Sequence, residues 1–170
     1  LLIPELIPQY DKILYSDVDV IFRDDLCELY SSTDMQGYLL AGVNSLAHFV
    51  PAYAKYYREK LHLNPARIIY SGNLIFNCKL MREEHTVDRF RELRGKKYMF
   101  QDMDILNIVC QGRIKLLPPS FCLSTFISEN AVRHRARLSE LWTESEILEG
   151  LSSGIVHYNG QKPWKGWCVN

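Results

Sequence analysis

The chain has 170 residues and no net formal charge, with 47% hydrophobic and 24% charged residues. This composition is typical of a globular protein with a hydrophobic core, and it excludes an intrinsically disordered chain and a strongly basic nucleic-acid-binding protein. The sequence shows no signal peptide and no apolar run near the roughly 18 residues of a membrane span, so we expect a cytoplasmic protein.

Apolar runs alternate with amphipathic segments along the chain. Strands are predicted at residues 12–22, 38–43, 73–77, 113–117 and 154–158. Helices are predicted at residues 25–31, 46–61, 79–93, 102–110 and 138–148, and Pro51 is expected to limit the start of the second. The sequence LLPPSF at residues 116–121 is expected to begin a long irregular connection. The alternation predicts an α/β fold with a mixed sheet, as a single domain over residues 1–170.

The chain has five widely scattered cysteines: Cys27, Cys78, Cys110, Cys122 and Cys168. None of them forms a C-x-x-C pair or another spacing typical of metal ligands. An odd number of dispersed cysteines in a protein without a signal peptide is typical of reduced thiols. We therefore expect core thiols rather than disulfides or a zinc site.

Two carboxylates interrupt the first predicted strand, in the sequence KILYSDVDVIF at residues 12–22. Side chains alternate between faces along a strand, so Asp17 and Asp19 would point the same way, about 7 Å apart. Because a buried unpaired carboxylate costs several kcal/mol, the pair needs a shared cation, a basic partner or an exposed strand end. Ligands bind at the carboxyl ends of strands in open α/β sheets, where Mg²⁺ or Mn²⁺ would find oxygen ligands.

Two alternatives remain for this D-x-D sequence. It is also found at exposed strand ends that bind nothing. A phosphohydrolase with an aspartate nucleophile places D-x-D after a strand as well, but those enzymes usually continue with Gly and then Thr or Val, whereas Val20 and Ile21 follow here.

The sequence GIVHYNGQKPWKGW at residues 154–167 combines a strand end with possible ligands. A neutral imidazole at His157 is a common metal ligand, Gly160 lets backbone N–H groups approach an anion, and Lys162 supplies a charge for phosphate. The alternatives are a structural histidine and packing roles for Trp164 and Trp167.

The sequence FQDMDILNIVCQ at residues 100–111 begins a predicted helix. Asp102 is a preferred N-cap residue type and is favoured by the helix dipole. Alternatively, Asp102 or Asp104 would hydrogen-bond the hydroxyl groups of a sugar.

Four segments in this order resemble the motifs of glycosyltransferase family 8, the retaining enzymes related to lipopolysaccharide galactosyltransferases and glycogenin: YSDVDVIF, YSGNLIFN at 70–77, QDMDILN at 101–107 and HYNGQKPW at 157–164. The resemblance implies a GT-A fold in which Asp17, Asp19 and His157 bind Mn²⁺, or Mg²⁺, and the ion holds the diphosphate of a UDP-sugar. It also implies that Gly160 and Lys162 contact that diphosphate.

The resemblance assigns the catalytic positions to Asp102, which would hold the donor sugar, and Met103. Many family members have Gln in place of Met103, Asn in place of Tyr70, and two residues between the glycine and lysine where this chain has Gln161 alone. A thioether cannot present an amide oxygen to an oxocarbenium-like transition state, so the usual role of the Met103 position is unfilled here.

The chain opens without Met and resembles roughly the C-terminal two thirds of a GT-A catalytic domain, lacking the N-terminal nucleotide-binding strands. We therefore expect residues ahead of Leu1 in the natural protein. The implied activity is transfer of a hexose from a UDP-sugar to a hydroxyl of a glycan or glycolipid acceptor, as in lipopolysaccharide biosynthesis. The alternative is a catalytically poor module that binds nucleotide sugars.

Two basic regions bear on possible partners. The sequence RHRAR at residues 133–137 is interpreted as solvated surface, and no nucleic-acid partner is expected. The sequence KPWKGW at 162–167 allows a weak peripheral membrane contact, since Trp and Lys favour the lipid interface.

Overall fold

The computed structural model describes residues 1–160 and 162–165 of the chain. The helices among these residues are α1 (Ile3–Leu6), α2 (Leu26–Ser32), α3 (Pro51–Glu59), α4 (Cys78–Glu83), α5 (Thr86–Leu93), α6 (Asp102–Val109), α7 (Thr125–Arg133), α8 (Arg135–Leu138) and α9 (Glu144–Ser152). The strands are β1 (Lys12–Ser16), β2 (Val20–Phe22), β3 (Leu40–Asn44), β4 (Ile69–Asn77), β5 (Ile114–Leu117), β6 (Leu123–Ser124) and β7 (Ile155–His157). The predicted α/β class with mixed sheets is confirmed.

The described residues form two compact units, each with its own sheet. The first unit comprises Leu1–Tyr15 and Asp34–Leu116, and the second comprises Ser16–Thr33 and the residues from Leu117 onward. The four-stranded sheet has the order β1-β4-β3-β5, and the three-stranded sheet has the order β2-β7-β6. Strand β7 is antiparallel to β2 and parallel to β6, so this small sheet is itself mixed.

The core of the first unit is built on the antiparallel pair β3 and β4. All five residues of β3 are buried, and Leu40 pairs with Phe76 across the ladder. Helices α5 and α6 cover these strands with Phe90 and Leu106, which belong to the same hydrophobic cluster. Burying an aromatic or aliphatic side chain of this size contributes about 1.5–3 kcal/mol, so the cluster stabilises this unit strongly.

The predicted helix over residues 79–93 is wrong in its continuity. The structure has α4 and α5 instead, separated at His85, whose backbone is left-handed with φ 51°. The apolar stripe of Val87 and Phe90 lies within α5, as the sequence pattern predicts, but the pattern gives no sign of the break at His85. The helix predicted over 46–61 is α3, and the expectation that Pro51 limits its start is confirmed, because Pro51 takes the first helical position after a short 3-10 turn.

The second unit contains a helix where an irregular connection was predicted after residues 116–121. After a short 3-10 turn at Pro119–Phe121, the chain forms β6 and then α7. The Ser124 hydroxyl caps α7 by accepting a hydrogen bond from the Ile127 N–H at 3.2 Å. The helix predicted at 138–148 begins later, at Glu144, where Thr143 and Glu146 form a capping box.

The continuous strand predicted over residues 12–22 is also wrong. Strand β1 ends at Ser16, and β2 begins at Val20 in the other sheet. Asp17, Val18 and Asp19 form the bend between the strands, and the Val18 side chain is fully exposed.

The described cysteines are thiols, but not all of them belong to the core. Cys78, Cys110 and Cys122 are buried, as predicted, whereas Cys27 is exposed in the first turn of α2, and Cys168 lies outside the described residues. Burial raises the pKa of the Cys78 thiol to about 11 and that of Cys110 to about 12, so both are protonated at neutral pH. A search of the described residues finds no helix with the length and apolar character needed to cross a membrane.

Candidate metal centre

Three side chains converge at the junction of β2 and β7 in the second unit. The antiparallel register places Val20 opposite His157, so His157 ends its strand beside the residue that follows Asp19. The Tyr158 N–H donates to the carbonyl oxygen of Asp19 at 2.9 Å, which extends the ladder by one bond. This pairing brings His157 to the Asp17–Asp19 bend across 138 residues of sequence (157 − 19 = 138).

The backbone around Gly154 fixes the position of β7. The Gly154 N–H donates to the Asp24 Oδ2 at 2.7 Å, and the Arg23 N–H donates to the Gly154 carbonyl at 2.9 Å. Gly154 has φ +80°, and a Cβ at this position would lie 2.0 Å from the carbonyl oxygen of Ser120. Only glycine fits here, because both the backbone angle and the close approach exclude a side chain.

Arg23 reinforces the same junction through the end of α9. Its guanidinium donates to the carbonyl oxygens of Leu151 and Gly150 at 2.8 Å each, and also to that of Ser153. Carbonyl groups at the C-terminus of a helix have no N–H partner within the helix, so the guanidinium supplies their hydrogen-bond donors. Its positive charge also interacts favourably with the negative end of the helix dipole. The residue after β2 thus holds the segment that leads into β7.

The distances within the cluster are short. The His157 Nε2 lies 3.2 Å from Asp19 Oδ1 and 3.6 Å from Asp17 Oδ2. One ligand atom from each of the three residues lies within 4.8 Å of the others. The imidazole is almost fully buried, with 6% of its side chain exposed, while the Asp17 side chain is 36% and the Asp19 side chain 23% exposed.

The donor set fits a divalent cation. Two ligand atoms about 2.1 Å from one ion lie about 3 Å apart when adjacent and about 4 Å apart when opposite, and both histidine-to-carboxylate distances fall within this range. Carboxylate oxygens suit Mg²⁺ and Mn²⁺, and an imidazole favours Mn²⁺ over Mg²⁺. Part of each carboxylate faces solvent, which leaves room for further oxygen ligands.

Lys162 lies on the other side of Asp19. Its ammonium group donates hydrogen bonds to Asp19 Oδ2 and to the carbonyl oxygen of Tyr158. Burial raises the pKa of Asp19, but the hydrogen bond from Lys162, the neighbouring His157 and the positive charge of Lys162 outweigh it and lower the pKa overall. Asp19 is therefore ionised at neutral pH and presents Oδ1 to the imidazole.

Gly160 is a glycine that the fold does not require. A Cβ at this position would lie 3.7 Å from Thr125 Oγ1, an ordinary contact, and its φ is not in the left-handed region. Gln161, which follows it in the predicted diphosphate motif, lies outside the described residues, as does Trp167 of the proposed lipid contact.

Asp102 and Met103 belong to the first unit, at the start of α6. Gln101, with φ 49° and ψ −114°, is the N-cap, so the predicted capping role of Asp102 is wrong; Asp102 is the exposed first residue of the helix. Met103 is partly buried and packs against the hydrophobic cluster of Ala47, Tyr57, Leu63 and Ile68. Tyr70 is half-buried within β4.

Asp104 has a different environment from the one that sequence suggested. It is fully buried, and its Oδ2 accepts hydrogen bonds from the Tyr56 hydroxyl at 2.7 Å and the Phe100 N–H at 3.0 Å. Burial raises the pKa of Tyr56, and the hydrogen bond to Asp104 raises it further. Asp104 therefore holds the segment before α6 in place, and the prediction that it alternatively binds sugar hydroxyls is wrong for this buried conformation.

One contact of the cluster has no signal in the sequence. The Cys122 Sγ lies 3.7 Å from His157 Nδ1, the ring nitrogen that faces away from the carboxylates, and both residues are buried. Cys122 is separated from His157 by 35 residues and belongs to no recognisable motif.

Sequence comparisons identify related proteins. Residues 1–168 match the model of Glycosyl transferase family 8. The glycosyltransferase GlyB of Streptococcus pneumoniae is 27% identical over 165 residues, which are 96% of this chain and 36% of GlyB. A lipopolysaccharide 1,2-glucosyltransferase of Escherichia coli is 24% identical over 167 residues, 93% of this chain and 46% of that enzyme. The chain thus spans less than half the length of these two relatives.

Solved structures show the same fold. The bifunctional glycosyltransferase WbbM has a TM-score of 0.73 and 26% identity, over 95% of this chain and 31% of the WbbM chain. The galactosyltransferase LgtC, solved with donor and acceptor sugar analogues, has a TM-score of 0.72 and 24% identity, over 98% of this chain and 59% of its own. The predicted GT-A type of fold, a mixed sheet flanked by helices, is confirmed by this likeness. Because the family model covers nearly the whole sequence, the chain belongs to glycosyltransferase family 8.

Proposed function

We propose that the protein transfers a hexose from a UDP-sugar to a hydroxyl group of a glycan or glycolipid, with retention of configuration and with Mn²⁺ as the preferred cofactor. The observation that carries this proposal is the convergence of Asp17, Asp19 and His157 within 4.8 Å of one another. An exposed strand end without a ligand gives no reason for a buried histidine to face two carboxylates. Membership of family 8 supports the transferase class.

The three side chains would hold the cation, which when bound supplies positive charge for the diphosphate as it leaves the sugar. Asp19 is suited to this because its lowered pKa keeps it ionised. Lys162 would move from Asp19 toward a phosphate oxygen when the diphosphate enters, since both anions compete for one ammonium group. Gly160 would leave the neighbouring backbone open to the same diphosphate.

The residues of α6 have separate roles in the proposal. Asp102 is exposed at the start of the helix and would accept hydrogen bonds from hydroxyl groups of the donor sugar. Met103 offers no amide oxygen, so the acceptor hydroxyl would attack from the face of the departing diphosphate without help from this side chain. Retention would then follow from same-face attack without a protein nucleophile.

A catalytically poor module that binds nucleotide sugars is a second candidate, and the packing of Met103 favours it. The thioether contributes to a hydrophobic cluster with Ala47 and Tyr57, so this position is committed to packing. The two candidates agree on the metal and the donor and differ only in turnover.

The test uses the protein expressed from its complete coding sequence, with UDP-glucose or UDP-galactose and Mn²⁺. Released UDP and the mass of the acceptor product are measured, and the anomeric configuration of the product is read by NMR. A transferase gives Mn²⁺-dependent release that EDTA abolishes, whereas binding of the UDP-sugar without release supports the module. A protein that neither binds the UDP-sugar nor releases UDP would contradict both candidates.

Variants connect this activity to the cluster. Removing one electrostatic partner of a developing charge typically costs about 3–4 kcal/mol of barrier, so Asp17→Asn and Asp19→Asn should lose almost all Mn²⁺-dependent turnover. The matched control is Asp25→Asn, an exposed N-cap of α2 in the same unit, where Asn caps as well as Asp. Unchanged turnover in both cluster variants would contradict the proposal.

A further inference from the structure

We propose that Cys122 is a positioning residue for the metal centre: its thiol hydrogen-bonds His157 Nδ1 and allows Nε2 to bind the cation as a neutral ligand. This inference rests on the metal site of the proposed function and adds a partner that acts through the histidine. The Sγ to Nδ1 distance is 3.7 Å, while Nε2 faces Asp19 and Asp17 at 3.2 and 3.6 Å.

The fold places the thiol and the ring next to each other by backbone pairing. Cys122 immediately precedes β6, and β6 pairs with β7 in parallel with Ser124 opposite His157. The Cys122 N–H donates to the Pro119 carbonyl at 3.0 Å, which fixes the residue from its other side. The contact therefore follows from the sheet and from a 3-10 turn and does not depend on a flexible side chain.

Burial makes the identity of the partner matter. Cys122 has no exposed surface and His157 has 5%, so water does not freely replace a lost contact at Nδ1. A buried ring nitrogen left without a hydrogen-bond partner costs about 1–3 kcal/mol. A thiol is a weak donor and a weak acceptor, so it serves either protonation state of the ring nitrogen.

An imidazole binds a cation through a ring nitrogen that carries no proton. With Nε2 on the cation, the ring is neutral when Nδ1 carries the proton, and this N–H then donates to the Cys122 sulfur. Hydrogen-bond partners at the second ring nitrogen orient metal-bound histidines, and replacing them typically costs about 10–100-fold in metal affinity.

The test measures the affinity for Mn²⁺ directly. The full-length protein is titrated with Mn²⁺ in the absence of a sugar donor, and the unbound ion is measured by electron paramagnetic resonance. Cys122→Ala should weaken Mn²⁺ binding by about 10–100-fold, and Cys122→Ser, which keeps a donor and acceptor, should recover most of it. The matched control is Cys110→Ala, an equally buried thiol in the hydrophobic cluster of the other unit, which should leave the affinity unchanged.

The outcomes separate this inference from the proposed function. If the wild-type protein binds Mn²⁺ and Cys122→Ala binds it with the same affinity, the positioning role alone is overturned. The same holds if Cys122→Ser binds Mn²⁺ as weakly as Cys122→Ala. A wild-type protein that binds no Mn²⁺ overturns the metal site and this inference together.

A second measurement applies if Cys122→Ala does not fold. Long-range ¹H–¹⁵N spectra of the wild-type protein, with histidine labelled and Mg²⁺ or Zn²⁺ bound, report which ring nitrogen of His157 carries the proton. A proton on Nδ1 is the expected result. A proton on Nε2 in the metal-bound protein would overturn the proposal.

Discussion

Replacing Gly154 by alanine should destabilise the protein more than an ordinary glycine replacement. Two costs add at this position. A left-handed backbone costs a residue with a Cβ about 1–2 kcal/mol, and Gly154 has φ +80°. The new Cβ would also lie 2.0 Å from the Ser120 carbonyl oxygen, although real Cβ contacts essentially never fall below 3.0 Å. Overpacking of this kind typically adds about 1–3 kcal/mol, so the expected loss is about 2–5 kcal/mol.

A matched control separates these two costs. Gly112 has nearly the same backbone, with φ +76°, but a Cβ there would meet nothing within 4 Å. Gly112→Ala should therefore show the strain alone, about 1–2 kcal/mol. The free energy of unfolding in urea is measured for both variants, and the excess loss in Gly154→Ala reports the contact with Ser120.

The same substitution should disturb the metal centre. Relieving the overlap requires the Ser120 and Gly154 backbones to separate by about 1 Å, and Gly154 leads directly into β7 and His157. We therefore expect Gly154→Ala to weaken Mn²⁺ binding while Gly112→Ala does not. Equal losses of stability in the two variants, within about 0.5 kcal/mol, would refute the reasoning about the close approach.

Three further predictions concern single side chains. Asp104→Ala should lower the free energy of unfolding by about 2–4 kcal/mol, because the Tyr56 hydroxyl and the Phe100 N–H lose their acceptor. In a double-mutant cycle with Tyr56→Phe, additive losses of stability would contradict the hydrogen bond between Tyr56 and Asp104. Met103→Gln should cost about 1 kcal/mol of stability without raising turnover, and a rise in UDP release would contradict the packing role. The lowered pKa of Asp19 contributes stability that is complete above its unfolded pKa of about 3.9 and is lost as the pH falls through the folded pKa. The free energy of unfolding of Asp19→Asn in urea should therefore depend less on pH in this range than that of the wild type. An unchanged pH dependence would contradict the pairing of Asp19 with Lys162.

Much of the secondary structure could be predicted because its signals are local. The apolar run of β4 and the apolar stripe of α5 are visible within a few residues, and the helix predicted from Asp25 is α2, with Asp25 as its N-cap. Helix α7 was missed although it has a signal: Ser124 as a cap, with Ile127 and Ala131 four residues apart on the buried face.

The bend at Asp17–Asp19 could not be predicted from periodicity. An apolar run divided between two sheets has the same alternation as one long strand, and only the distant partners β4 and β7 decide where it divides. The break at His85 was not visible in the sequence either, because the residues on both sides of it continue a helical pattern.

The candidate site was predicted in part. Resemblance to family motifs led to Asp17, Asp19 and His157, and the register of β2 with β7 explains how they meet. The contact of Cys122 with His157 could not be found this way, because it depends on the parallel pairing of β6, a strand of two residues that the sequence does not signal.

The central claim is that Asp17, Asp19 and His157 bind one catalytic metal ion. The most direct measurement is an anomalous difference map at the manganese edge, from crystals of the full-length protein grown with Mn²⁺ and UDP. We expect a single peak about 2.0–2.3 Å from a carboxylate oxygen of each aspartate and from His157 Nε2. A bound UDP with no peak at these three residues, or with manganese held elsewhere, would contradict the account.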